Sequence, residues 1–167
     1  MRVALLLAAV ALTTGCSSNW QTFRAHGISV RYPRDWHATS ARLTPVTSPV
    51  QVLAVASYSL PHDDRGAEGC APKVALDRLP PGGAFIFGWE YLSASNAGRL
   101  PPRPKHFKLD DFAGFECTGP SYVVHFREAG RYFQIHVALG RDAGDDTRST
   151  VLRILDSLEV KAGTRGR

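Results

Sequence analysis

The chain has 167 residues, 44% of them hydrophobic and 21% charged, and a formal net charge of +5 at pH 7. That length suits one domain with its own core, and the apolar fraction excludes a disordered chain. The positive charge is spread along the chain without a basic cluster, which argues against a nucleic-acid partner.

Met1 and Arg2 form a short positive head, and Val3 to Leu12 is an unbroken run of ten Val, Ala and Leu residues. Ten is far short of the ~20 needed to cross a bilayer as a helix, and it matches the hydrophobic region of an export signal. The run leads into Leu12-Thr13-Thr14-Gly15-Cys16-Ser17-Ser18. This resembles the lipobox of bacterial lipoproteins, in which small residues precede a cysteine that receives diacylglycerol and becomes the new N-terminus. Thr13 departs from the box, standing where Leu is usual. The resemblance implies a signal peptide over 1–15, lipidation of Cys16 and a location on the extracytoplasmic face of the cell membrane. The alternative is a secreted, soluble protein cut in the same region. Residues 16–19 are then a tether of about 10 to 15 Å, at ~3.5 Å per residue.

With Cys16 taken by lipid, Cys70 and Cys117 form an even pair. In an oxidising compartment an even pair reads as one disulfide. Closing a loop of ~47 residues, it would contribute roughly 4 kcal/mol. A metal or redox pair is the alternative, although there is no CxxC spacing and a two-sulfur site would need His partners.

Residues 20–160 read as one α+β domain, and 161–167 as a flexible tail. Trp20 to Phe23 predicts a first strand, turned at His26-Gly27. Ile28, Val30 and Tyr32 alternate with Ser29 and Arg31, a half-buried strand ended by Pro33. Another strand is expected from Asp35-Trp36 toward Arg42, and a turn over Pro45 to Pro49. Val50 to Leu60 predicts a central strand with Val50, Val52, Ala54, Ala56 and Tyr58 on one face and Leu53 and Val55 on the other. A strand apolar on both sides is usually covered on both.

Ala71 to Leu79 predicts a short helix with Pro72 in its first turn, stopped by Pro80-Pro81-Gly82-Gly83. Ala84 to Tyr91 predicts a strand with Phe85, Phe87, Trp89 and Tyr91 on one face. A loop follows, then a strand over Lys105 to Leu109 and another over Phe112 to Cys117. Ser121 to Glu128 and Arg131 to Leu139 flank Ala129-Gly130, a tight hairpin. That turn sets Tyr122, Val124 and Phe126 against Val137, Ile135 and Phe133, and puts Val123, His125 and Arg127 opposite Tyr132, Gln134 and His136 on the other face. Asp145 to Leu158 predicts a helix with Asp145 and Asp146 as caps and Val151, Leu152, Ile154, Leu155 and Leu158 inward.

Gly27-Ile28-Ser29-Val30-Arg31-Tyr32-Pro33 followed by Trp36, and the closing Ile154-Leu155-Asp156-Ser157-Leu158, resemble the opening and close of PsbP-like domains. The same stretches are similar to LpqN-type actinobacterial lipoproteins. The resemblance covers roughly fifteen residues at each end. It implies an antiparallel sheet flanked by helices, an α/β/α sandwich, and a non-enzymatic binding or assembly role.

The hairpin register puts His125 and His136 diagonally on one face, with Arg127, Tyr132 and Gln134 beside them. Diagonal Cβ atoms lie ~7 Å apart, within reach of a shared ligand. A solvated polar face is the plainer account of this surface. A metal-assisted hydrolase is the alternative, and it needs a third ligand from elsewhere. A lipid carrier lined by Phe85, Phe87, Trp89 and Tyr91 is a further one, against the plainer reading of those rings as core. Asp142, Asp145 and Asp146 do not have the spacing of a calcium loop. No nucleophile elbow and no phosphate-binding glycine pattern occurs. The expectation is an exported, non-catalytic envelope module without a cofactor, held to the membrane by its lipid and binding an envelope protein or small ligand.

Overall fold

The computed structural model describes residues 19–66, 69, 71–93, 95, 99–115 and 119–162. Residues 1–15, Cys16, Cys70, Cys117 and the tail from 163 onward lie outside them, and so do the leader, the lipidation site and the disulfide expected there. Among the described residues, no helix is long and apolar enough to cross a membrane.

The fold is α+β, built from two antiparallel sheets and a C-terminal helix. Strands β1 (Trp20–Ala25) and β2 (Ile28–Pro33) form the first hairpin. Its turn residues His26 and Gly27 have φ of 51° and 69°, the left-handed pair that lets two residues reverse a twisted ribbon. The remaining strands are β3 (His37–Ala38), β4 (Val50–Ala56), β5 (Ala84–Tyr91), β6 (Phe112–Phe115), β7 (Gly119–Glu128), β8 (Arg131–Leu139) and β9 (Glu159–Val160). Helix α1 spans Lys73–Asp77 and α2 spans Asp145–Asp156. One sheet has the order β1-β2-β9, the other β3-β4-β5-β8-β7-β6.

The main core lies between the large sheet and a layer made of α2 and the small sheet. Val151, Ile154 and Leu155 of α2 and Ile28 and Val30 of β2 pack on Leu53, Val55, Ile86, Phe126, Phe133, Ile135 and Val137. Phe126 stacks on Phe133 with ring centroids 5.1 Å apart. Burying a side chain of this kind stabilises by about 1.5–3 kcal/mol. The opposite face carries a second core of Ala54, Ala56, Phe85, Phe87, Trp89 and Ala138, covered by Leu43, Leu60, Ala71 and Ala75. This cover is α1 and coil, so its backbone groups need partners outside a ladder. Gln51 supplies two: its amide accepts from Leu43 N at 2.8 Å and donates to Ala41 O at 2.7 Å. The Tyr58 hydroxyl donates to Ala75 O at 2.6 Å, and Ala84 N donates to Ser57 Oγ at 2.9 Å.

Arg131 of β8 pairs with Glu90 of the neighbouring β5 and reaches across to backbone carbonyls of the first hairpin, joining the two sheets at one end. Arg131, 9% exposed, donates to both Glu90 carboxylate oxygens at 2.7 and 2.6 Å and to His26 O at 2.8 Å. The third guanidinium nitrogen, Nη1, donates to Gly27 O at 3.3 Å and to Lys161 O at 3.4 Å. Lys161 N also donates to Gly27 O, at 2.9 Å, so the first residue expected in the tail is held to the first hairpin.

Several elements differ from expectation. The strand expected to run to Arg42 ends at Ala38, because the Gln51 amide takes over the pairing with residues 41 and 43. A register shift between Gln51 and Leu53 puts Val50 and Val52 with Leu53 and Val55 against the α2 core and leaves Ala54 and Ala56 on the second face. Such a bulge moves part of a strand's side chains to the other face. Residues 105–109 form no strand; Phe107 and Leu109 are buried from coil, with Phe107 N donating to Asp156 Oδ1 at 2.8 Å. The N-cap of α2 is Gly144, with no side-chain cap bond, and Asp145 and Asp146 act only through their charge in the first turn. The β7–β8 register agrees with expectation: Tyr122 faces Val137, Val124 faces Ile135 and Phe126 faces Phe133.

Candidate functional site

The second face of the β7–β8 hairpin carries the residues singled out in the sequence. Val123 pairs with His136, His125 with Gln134, and Arg127 with Tyr132, so the two imidazoles are diagonal neighbours. The neighbouring strand changes their setting. Strand β5 places Phe87 opposite His136, Trp89 opposite Gln134 and Tyr91 opposite Tyr132. His136 is 5% exposed, and its Nδ1 lies 3.2 Å from Oγ of Ser121, which is 1% exposed. Ser121 Oγ also donates to Ala113 O at 3.3 Å. Burial pushes the His136 pKa down to about 4, and the adjacent His125 pushes in the same direction. The ring is therefore neutral at pH 7, as a hydrogen-bonded part of the interior.

The other members of the face have separate surroundings. Gln134 accepts a hydrogen bond from the Tyr91 hydroxyl, whose pKa burial raises. His125 and Tyr132 are half-buried and Arg127 is exposed. The backbone of Arg127 is held by coil: its N–H donates to Pro101 O at 2.7 Å, and its carbonyl accepts from Arg103 N at 3.0 Å. This closes the β7 edge beyond the reach of β6. Among the described residues, no group of three or more His, Cys, Asp or Glu side chains is placed to hold a metal ion. Ser121 and His136 are a hydrolase-like pair in composition, but at 1% and 5% exposure neither is open to a substrate. Phe85, Phe87 and Trp89 are packed under the chain's own Leu43, Leu60, Ala71 and Ala75.

A second constellation has no counterpart in the sequence reading. Trp20, half-buried against the edge of the main core, and the exposed Arg31 share one face of the first hairpin, where Trp20 pairs with Pro33 and Thr22 with Arg31. With Arg153 and Ser157 at the end of α2 they line an open cleft of about 240 Å³. The Arg153 guanidinium stands over the Trp20 ring at 5.1 Å and donates to Thr150 Oγ1 at 3.1 Å. Arg31 N donates to Ser157 Oγ at 2.9 Å, and that hydroxyl lies 3.2 Å from Arg31 O. These two bonds fix β2 to the C-terminus of α2 and set the floor of the cleft. More than a hundred residues separate its two halves, so no local motif announces it. The outward alternation of Thr22, Arg24, Ser29 and Arg31 was the available signal.

No protein-family model and no curated protein matches the chain.

Proposed function

We propose that the chain is an exported envelope protein, held to the membrane by acyl chains on Cys16, whose domain is a non-catalytic binding module. The observation that carries this reading is the order of segments. A ten-residue apolar run and a lipobox-like Thr13-Thr14-Gly15-Cys16 stand only a few residues before Trp20, where β1 begins. Two acyl chains of lipobox type anchor firmly, since each buried CH2 contributes about 0.8 kcal/mol. A PsbP-like relationship fits the α+β architecture and belongs to the same proposal, as does a Cys70–Cys117 disulfide. The sealed Ser121–His136 pair supports a non-enzymatic role, because the best-placed acid–base group is turned into the core.

Metabolic labelling with a clickable palmitate analogue tests the anchor. The expected result is label on the wild-type chain, none on Cys16→Ala, and release of the variant from the membrane fraction. Export without label would leave the secreted alternative. A chain recovered from the cytosol with Met1 intact would end the proposal.

A further inference from the structure

We infer that the cleft formed by Trp20, Arg31, Arg153 and Ser157 is a seat for the phosphate headgroup of an anionic membrane lipid. The inference rests on the lipid-anchor reading, because that reading places this end of the domain at the bilayer. A tether from Cys16 to Asn19 reaches about 10 to 15 Å. Trp20 follows it directly, and Arg34 N donates to Asn19 O at 2.9 Å, which holds Asn19 next to the cleft-lining Trp20.

The chemistry of the lining fits that occupant. A guanidinium presents a planar fork of donors that matches two phosphate oxygens. Two such groups, Arg31 and Arg153, face one cleft, and both side chains are exposed. Among the described residues, no ion pair engages Arg24, Arg31, Arg34 or Arg153. Asp156, the nearest acid on α2, is turned away: one carboxylate oxygen meets His106 and the other accepts from Phe107 N. Glu159 on β9 lies opposite Ser29 and leaves the arginines in excess at this end. An indole beside the two cations suits the water–lipid boundary, where Trp is enriched because one side of the ring is apolar and the other can donate. The backbone bonds between Arg31 and Ser157 hold the two cationic elements at a fixed spacing, so the site is built before a lipid arrives.

The test is flotation of a chain from Ser17 onward, which keeps every described contact because these all lie after residue 18. The probes are vesicles of phosphatidylcholine alone and vesicles with roughly one quarter phosphatidylglycerol, at low salt, since basic side chains near an anionic surface add attraction additively. The expected result is binding to the anionic vesicles only. R31E/R153E should lose about 10-fold or more, while R65E/R141E, an equal charge change on exposed loops, should lose less than about 3-fold. Trp20→Ala should weaken binding at unchanged charge. Unfolding midpoints of the variants separate lost binding from lost fold. Absence of wild-type binding, or equal losses from the two double variants, overturns the site. The assay needs no Cys16 and the palmitate label needs no cleft, so each idea can fail without the other.

Discussion

On one face of the six-stranded sheet, α2 and the three-stranded sheet cover Phe126, Phe133 and Ile135 with regular elements. On the other, Phe85, Phe87 and Trp89 lie under α1, which is five residues long, and under coil carrying Leu43 and Leu60. Both sets of aromatics are almost fully buried, so the two covers exclude water equally. They differ in how their backbones are satisfied. Helix and strands pair internally, whereas this cover leans on particular side chains, those of Gln51 and Tyr58. A coil cover should therefore depend on a few polar residues and close contacts in a way that the helical cover does not.

The largest effect is expected at Gly140, where the coil cover meets the end of β8. A Cβ there would lie 2.2 Å from the carbonyl oxygens of both Pro80 and Pro81, and Gly140 N donates to Gly83 O at 2.9 Å. Gly140→Ala should cost more than about 3 kcal/mol, because backbone has to shift on both sides. A variant with the wild-type urea midpoint would show the Pro80–Pro81 segment to be loosely held. Next come the aromatics themselves. Phe126→Ala should cost about 4 kcal/mol and Phe87→Ala about 3 kcal/mol, since coil can collapse into a cavity further than a helix can. Equal costs in paired denaturation curves would remove the distinction between the covers.

Arg131→Met tests the guanidinium that pairs with Glu90 inside the large sheet and fastens the small sheet to it through the His26 and Gly27 carbonyls. It leaves the Glu90 carboxylate without its bidentate partner at 17% side-chain exposure, and about 3 kcal/mol should be lost. The double variant R131M/E90M should recover part of that, because no uncompensated charge is then buried. Equal loss in the single and double variants would mean that the bonds to His26 and Gly27 carry the effect.

The smallest effect at neutral pH, growing on acidification, belongs to His136. Its folded pKa of about 4 lies below the ~6.5 of an unfolded histidine, so the unfolded chain takes up the proton first as pH falls. Stability is then whole above about pH 6.5 and declines toward pH 4, by about 3 kcal/mol when complete. His136→Gln should start lower at pH 7 and lack this part of the acid slope. Parallel slopes for variant and wild type in denaturation series from pH 7 to pH 4 would refute the assignment.

Regular parts of the molecule were readable from local pattern. Ala129-Gly130 fixes the β7–β8 register because both residues adopt the left-handed conformation, with φ of 52° and 75°. The α2 stripe follows from helical spacing. The irregular cover was not readable, since a glutamine amide standing in for a strand, or Phe107 and Leu109 filling a gap from coil, imitates or interrupts strand periodicity. The histidine face was readable as a diagonal pair, but its burial was not. That depends on β5, forty or more residues earlier in the chain, lying alongside β8 and bringing Phe87 next to His136. Likewise the arginine cleft arises only when β2 meets the end of α2.

The bonds of Arg131 and Gly27 to Lys161, together with the β2–β9 pairing of Ile28 with Val160, tie the opening of the domain to its last residues. During synthesis these partners become available only after Lys161 has emerged, more than 130 residues after Gly27. Contacts of such long sequence separation slow folding. The domain should thus close late, once β9 and Lys161 reach the first hairpin.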